Sequence, residues 1–241
     1  LDNYVAITKD TRFWNALKFT FYYTAIVTVA IFAVAFPLAL FVERPGKMTG
    51  FYRTSFFLPV VVGFASASLL WVWLLNVDSG LFSPAAFRLG LTEKKFNLMA
   101  SFDSAFWSVI VMVVWKVAGF TMIILMTGLQ SIPGDLTEAA KIDGANAWQR
   151  FTQITLPLMR RTLALALILS VAGSILAFDQ FYIMLRGGPR NSTITAVYWI
   201  FNQSFVSFKL GYGAALSMVL LVILVVLSLI QLRLLRNPEG T

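Results

Sequence analysis

The chain has 241 residues, of which 59% are hydrophobic and 12% charged, whereas soluble proteins average about 45–50% and 25%. So few charges cannot cover a soluble globule of this size, and the composition therefore favours a membrane protein. Cysteine and histidine are both absent, which excludes a disulfide, a thiolate nucleophile, a histidine general base and most zinc sites. The 11 acidic residues are scattered, so we expect no catalytic residues and no metal site. The net charge of +8 does not indicate nucleic acid, because the basic residues are spread thinly between apolar blocks and fit the ends of membrane spans.

Five apolar runs in chain order are long enough to cross a bilayer, which takes about 20 residues as a helix. We predict spans at about residues 15–42, 54–77, 104–130, 162–185 and 210–232. The third is uncharged except for Lys116, and the fourth except for Asp179. Because lipid cannot satisfy backbone groups, the spans must be helical. The predicted fold is an all-α polytopic transmembrane bundle that forms one domain over residues 1–241.

The segment 131–161 between the third and fourth spans is polar and begins with signals for a short helix. Asp135 is expected to cap this helix, with Glu138 three residues later reaching back in a capping box. Gly144 lies where a residue with positive φ would end the helix.

A second helix is predicted directly after this glycine. Asn146 can cap it, with Gln149 at its third position. Pro157 is expected to end this helix or to kink the start of the next span. The segment is therefore predicted to be a hairpin of two helices between two membrane spans.

The side chains of this hairpin permit two interpretations. Ala139 and Ala140 are small enough for close approach of a partner, and Trp148 and Phe151 are large apolar side chains of the kind that anchor interfaces. The hairpin could equally rest on the membrane surface or on its own bundle. DNA binding is disfavoured because the segment carries few basic residues and nearly as many acidic ones.

Several motifs resemble permease subunits of binding-protein-dependent ABC importers, in the carbohydrate-uptake branch. The hairpin resembles their EAA loop at Glu138-Ala139-Ala140, Asp143-Gly144-Ala145, Phe151, Ile154 and Leu156-Pro157. Further similarities lie at Phe57-Leu58-Pro59, Trp71-Val72-Trp73, Gln130-Ser131-Ile132-Pro133, Phe178-Asp179, Gly187-Gly188-Pro189 and Tyr212-Gly213-Ala214-Ala215. Such permeases usually carry one more N-terminal span, so we expect a span to precede residue 1.

The resemblance implies that the hairpin faces the cytoplasm and docks into a groove of a separate ATP-binding subunit. Lysine and arginine divide evenly between the two faces of the membrane, so their count does not give the orientation. The resemblance therefore decides it. The expected coupling residues are Glu138, Ala139, Ala140, Asp143, Gly144, Trp148, Phe151, Leu156 and Pro157. The chain has no G-x-x-x-x-G-K-[ST] motif, so ATP hydrolysis is expected in the partner.

The resemblance also implies a set of partners in the inner membrane of a prokaryote. These are a second permease, usually a different chain in this branch, two ATP-binding subunits and an extracytoplasmic substrate-binding protein. No cofactor is expected in this chain, whereas ATP and magnesium belong to the ATP-binding subunits. The implied function is import of a sugar or related polyol.

Residues for the substrate pathway are predicted from their depth and spacing. Charged side chains at membrane depth are functional candidates, and Lys116 and Asp179 could pair or be solvated separately. Small residues at helical spacing on the fourth span could either pack closely or leave room for substrate, and two aromatic side chains could stack on sugars. The candidates are Lys116, Phe120, Ser170, Gly173, Ser174, Ala177, Asp179 and Tyr182.

Two other functions stay open on the sequence. One is a stand-alone secondary transporter or channel, which should carry more intramembrane carboxylates than the single Asp179. The other is an ABC importer of a phosphorylated polyol or another small polar solute. A membrane enzyme is disfavoured because no acid–base pair is apparent.

Overall fold

The computed structural model describes residues 1–90, 92 and 94–235, and these form helices without any strand. In chain order the α-helices are α1 Asp2–Lys9, α2 Thr11–Glu43, α3 Thr49–Val61, α4 Phe64–Leu74, α5 Phe82–Arg88, α6 Phe102–Gln130, α7 Gly134–Ile142, α8 Ala147–Arg150, α9 Leu156–Leu158, α10 Arg160–Ile175, α11 Ala196–Phe201 and α12 Leu210–Leu235. Three π-helical turns lie at Phe151–Thr155, Phe181–Leu185 and Asn202–Val206. The all-α prediction is confirmed.

The membrane-crossing elements are three long helices and two bent helix pairs. Among the described residues, α2, α6 and α12 are each long and apolar enough to cross a membrane alone. The pair α3 and α4 meets at 96°, and α10 meets the segment Ala147–Leu158 at 71°. If each pair counts as one crossing, the described chain has up to five.

The predicted continuous helix over 54–77 is wrong, because it breaks between α3 and α4 at Val62 and Gly63. A break in lipid needs new partners for the backbone groups that it frees. Here Lys116 of α6 donates from Nζ to the carbonyl oxygen of Val60 at 3.3 Å. The same ammonium lies 4.5 Å from the ring centroid of Phe64, at the start of α4. One side chain of α6 therefore holds both halves of the broken span.

The predicted helix over 162–185 is also interrupted, since α10 ends at Ile175 and the chain is not helical at Ala177 and Phe178. The buried hydroxyl of Thr195 donates to the carbonyl oxygen of Ala177 at 2.8 Å. This bond replaces a helical one that the break removes. The second interruption is thus stabilised in the same way as the first.

An aromatic layer fills the centre of the bundle between α2, α6 and the turn at Phe181–Leu185. Tyr23, Phe106 and Phe181 are almost fully buried, and the rings of Tyr23 and Phe181 meet edge to face at 4.8 Å. Gln180 donates from its side-chain amide to the Tyr23 hydroxyl at 3.2 Å. This layer closes the bundle core by side-chain packing.

Asp10 joins three helices at the end of the bundle opposite the 131–161 segment, which we call the outer end. Its Oδ1 accepts from the backbone N–H groups of Arg12 and Phe13 and caps α2. Its Oδ2 accepts from Trp199 Nε1 at 2.9 Å and from the Tyr212 hydroxyl at 2.7 Å. Burial alone would raise the pKa of Asp10, but the hydrogen bonds outweigh it and lower that pKa.

Candidate coupling and transport sites

The hairpin over 131–161 begins differently from the prediction. Helix α7 starts at Gly134 with Pro133 in the N-cap position, and no side chain caps it. Proline has φ −59 there, the value already suited to a helix start. Asp135 therefore lies in the first turn rather than at the cap, and Glu138 is an exposed residue of the second turn. The predicted capping box of these two acids is wrong.

The turn between the two helices has the predicted geometry. Gly144 has φ +80, a conformation that glycine adopts without strain. Asn146 and Gln149 form the expected capping box, with bonds of 2.8 and 2.9 Å between each side chain and the other's backbone N–H. Asp143 donates from its backbone N–H to the carbonyl oxygen of Ala139. Local hydrogen bonds thus fix the angle of the hairpin.

The hairpin leaves large apolar side chains in contact with solvent. Trp148 is 71% exposed and Ile142 is 86% exposed, with Leu136 at 45%. Of these three side chains the sequence pattern indicated only Trp148, although Ile142 is an apolar residue directly before Asp143. Side chains of this kind are unfavourable in water and typical of a surface that a partner covers.

Phe151 connects the hairpin to the membrane-spanning helices. Its ring lies 5.5 Å from that of Phe36 on α2 and 5.9 Å from that of Trp148. Both contacts lie in the range of favourable aromatic pairs. Phe151 therefore points towards the bundle while Trp148 stays open, so the two predicted anchors face different environments.

Beyond Phe151 the chain turns sharply towards α10. A π-helical turn leads into Leu156 and Pro157, and the 71° bend follows before α10. Leu156 is half-buried and Pro157 is exposed, and Met159 at the bend is fully buried. The kink expected near Pro157 is present, so movement of the hairpin would act on α10 through a packed joint.

The structure places Lys116 and Asp179 in separate environments. Lys116 is 5% exposed and bonds to Val60, whereas Asp179 is half-buried. The ion pair between Lys95 and Asp78 is the one found in the described part of the chain. The pairing considered on the sequence is therefore not formed, and Lys116 is held by the break between α3 and α4.

The small residues of the fourth span do not share one face. Ser170 and Ser174 are buried on α10, at 7% and 5% exposure. Gly173 lies on the open side, with nothing within 4 Å of the position that a Cβ would occupy. Ala177 is buried but follows the end of α10 at Ile175. The expectation of a continuous face failed because Gly173 lies on the other side of α10 from the two serines and Ala177 lies beyond the helix end.

Aromatic side chains form a partly exposed row near this interruption. Phe178 stacks on Tyr182 at 5.0 Å, Tyr182 meets Phe201 at 5.2 Å, and Phe201 meets Phe205 at 5.4 Å. We call these four residues the aromatic ladder. Tyr182 is 40% and Phe205 63% exposed. Of the four, only Tyr182 was predicted, although the spacing of four residues within the pairs 178–182 and 201–205 is visible in the sequence. The other predicted aromatic residue, Phe120, is 41% exposed and lies apart from the ladder on α6.

The sequence matches a known family of transport proteins. The family model described as "Binding-protein-dependent transport system inner membrane component" matches residues 12–238. The chain belongs to that family. It is therefore a multi-pass transport permease and not an enzyme.

Curated relatives of this permease align over nearly its whole length. A probable starch degradation products transport permease, AmyD of Thermoanaerobacterium thermosulfurigenes, is 30% identical over 99% of this chain and 80% of its own. The sn-glycerol-3-phosphate transport permease UgpA of Agrobacterium fabrum is 33% identical over 97% and 79%.

A solved structure shares the fold of the permease. It is a chain of a bacterial alginate ABC transporter in complex with an alginate-bound periplasmic protein, and it superposes with a TM-score of 0.85 at 22% identity. The match covers 100% of this permease and 84% of that chain. The broken spans and the hairpin thus belong to an ABC importer permease fold.

Proposed function

We propose that this permease forms the translocation pathway for a sugar or related polyol and couples it to a separate ATPase. The similarity to AmyD, together with that to a multiple sugar-binding transport permease, MsmF of Streptococcus mutans, at 28% identity, supports this cargo. The aromatic ladder supports it physically, because exposed aromatic faces can stack on the C–H faces of sugar rings.

The coupling role rests on one observation, the exposure of Trp148 and Ile142 on a rigid polar hairpin. Burying them in a groove of an ATP-binding subunit would remove their apolar surface from water. Glu138, Ala139, Ala140, Asp143, Gly144, Leu156 and Pro157 complete the proposed coupling segment. ATP and magnesium would bind in the two ATP-binding subunits, and this chain would hold no cofactor.

The proposed assembly contains a second, different permease and an extracytoplasmic substrate-binding protein in the inner membrane of a prokaryote. Transport would proceed by alternating access. Closure of the ATPases on ATP would move the hairpin, and the packed joint at Met159 would pass this motion to α10. The remaining pathway candidates, Ser170, Gly173, Ser174, Ala177 and Asp179, lie on or beside the interrupted span that would move.

The coupling proposal is tested by co-purification and by ATPase activity of the assembled transporter. Trp148→Ala should weaken binding of the ATP-binding subunit by about 2 kcal/mol, roughly 30-fold, as for a buried aromatic anchor. Trp107→Ala is a matched control, because Trp107 is 54% exposed on α6, away from the hairpin. Equal co-purification of both variants would contradict docking through Trp148.

The cargo is tested with a panel of sugars, each supplied with the cognate binding protein while ATP hydrolysis is measured. The similarity to UgpA makes a phosphorylated polyol the second candidate, so glycerol 3-phosphate belongs in the panel. A sugar that stimulates hydrolysis, when glycerol 3-phosphate does not, supports the proposal. Uptake that persists without any ATPase would instead favour a secondary transporter or channel.

A further inference from the structure

A polar pocket opens at the outer end, beside the Asp10 junction. Its volume is about 530 Å³, within the roughly 300–1,000 Å³ typical of small-molecule sites. It lies between the start of α2, the loop at 186–195 and α11. Its principal lining residues are Arg12, Asn15, Phe19, Asn191, Trp199 and Asn202. None of these belongs to the aromatic ladder or to the pathway candidates.

The polar side chains of this pocket are available for a ligand. Within the described chain, the amides of Asn15, Asn191 and Asn202 and the guanidinium of Arg12 make no hydrogen bond. Each amide offers two donors and an acceptor, and the guanidinium offers five donors. Such a mixture of hydrogen-bond donors and acceptors suits a ligand with several hydroxyl groups, because each hydroxyl both donates and accepts.

One wall of the pocket is held in place without a ligand. Trp199 is fixed through Nε1 to Asp10 at 2.9 Å, and the Arg12 guanidinium lies 5.7 Å from the Trp199 ring centroid. On the facing loop, Asn191 has φ +59, a conformation that asparagine tolerates better than most residues. A fixed wall lowers the entropy lost when a ligand binds.

Phe19 closes the pocket towards the membrane interior. Its ring packs edge to face against Phe181 at 5.4 Å and Phe106 at 6.2 Å. These two rings belong to the aromatic layer in the bundle core. A ligand in the pocket would therefore lie on the outer side of this closed layer.

We propose that this outer pocket binds one ring of a polyhydroxylated saccharide before it enters the membrane. The amides and Arg12 would hydrogen-bond the hydroxyls, while Phe19 and Trp199 would contact the apolar faces of the ring. The proposal deepens the proposed function and rests on a sugar being the cargo. It adds a recognition site on the permease itself, separate from the binding protein and from the aromatic ladder.

The absence of cysteine makes a direct test possible. Asn15→Cys and Ser192→Cys place single thiols on two walls of the pocket, and Lys209→Cys places an exposed control thiol at the outer end but outside the pocket. The transporter is assembled with cysteine-free partner subunits. Labelling by a membrane-impermeant thiol reagent is followed with maltose, maltotriose or the stimulating sugar of the ATPase panel.

A sugar at ten times its dissociation constant should slow labelling at the pocket positions about ten-fold and leave the Lys209→Cys variant unchanged. Independently, Asn202→Ala should raise the sugar concentration for half-maximal protection of the Ser192→Cys thiol about five-fold, as expected for one lost hydrogen bond. Ser192→Cys keeps the measurement valid if removal of the Asn15 amide abolishes binding.

Three outcomes would overturn the proposal. If the binding protein protects the pocket equally with and without sugar, the pocket is a protein contact. If a sugar stimulates ATP hydrolysis but protects neither thiol, the pocket proposal fails while the proposed function stands. If no sugar stimulates hydrolysis or protects either thiol, both fail together.

Discussion

Gly119→Ala should separate α3 from α6, because the two helices touch at backbone level there. A Cβ at position 119 would lie 2.0 Å from the carbonyl oxygen of Phe56 and 2.7 Å from its carbonyl carbon. Real contacts start near 3.0 Å, so the helices must part by about 1 Å. Since the obstacle is backbone, no rotamer change can relieve the clash. Overpacking of this kind costs about 1–3 kcal/mol.

A second cost follows from the hydrogen bond one turn away. The bond from Lys116 to the Val60 carbonyl is already 3.3 Å long and half-buried, so parting the two helices would weaken it further. Loss of a hydrogen bond of this kind costs up to about 3 kcal/mol more. The combined loss is therefore about 1–6 kcal/mol, enough to lower both the yield and the thermal stability of the purified transporter.

The assay compares Gly119→Ala with Gly50→Ala by membrane yield and by Tm of the detergent-solubilised transporter. Gly50 lies on α3 as well, but nothing is within 4 Å of its Cβ position. Alanine should be neutral or slightly stabilising there, since it favours a helix by up to about 1 kcal/mol. If the two variants match the wild type equally in yield and Tm, the close approach of α6 to α3 is refuted.

Three further predictions concern the hairpin, α10 and the outer end. Gly144→Val should leave insertion normal but reduce ATPase co-purification, because a side chain at φ +80 costs about 1–2 kcal/mol; Gly134→Val, without positive φ, is the control, and equal co-purification would contradict this. Ser174→Trp should lower subunit yield by overpacking, whereas Gly173→Trp on the open side should not; normal yield for Ser174→Trp would disprove tight packing. Because folding lowers the pKa of Asp10, its carboxylate stabilises the fold above pH 3.8, its unfolded pKa, and this stabilisation is lost as the pH falls through the lower folded pKa. The Tm of the wild type should therefore fall in acid by an amount that the Tm of Asp10→Asn does not. The same dependence of Tm on pH in both proteins would refute this prediction.

Local signals made parts of the hairpin predictable from the sequence. Gly144, Asn146 and Gln149 act on backbone groups within three residues, so their effect depends little on the rest of the fold. The start of α7 was missed by two positions, because Pro133 and Asp135 both suit a helix N-terminus.

The breaks in the spans were not predictable in the same way. Hydropathy measures only whether a run is apolar enough to cross, and both broken runs pass that test. What stabilises them comes from far along the chain: Lys116 lies 56 residues from Val60, and Thr195 lies 18 residues from Ala177. The predicted small-residue face failed partly for this reason, since Ala177 lies beyond a helix end whose freed carbonyl bonds to the distant Thr195.

The cap that Lys116 provides for α3 also has a consequence for biogenesis. When residues 49–74 leave the ribosome, α6 does not yet exist, so the Val60 carbonyl has no ammonium to pair with. The broken pair then faces lipid with an unsatisfied backbone group, which is costly. The 96° bend between its halves therefore becomes stable only once residues 102–130 have been inserted beside it, and membrane integration of this region is a joint event of both segments.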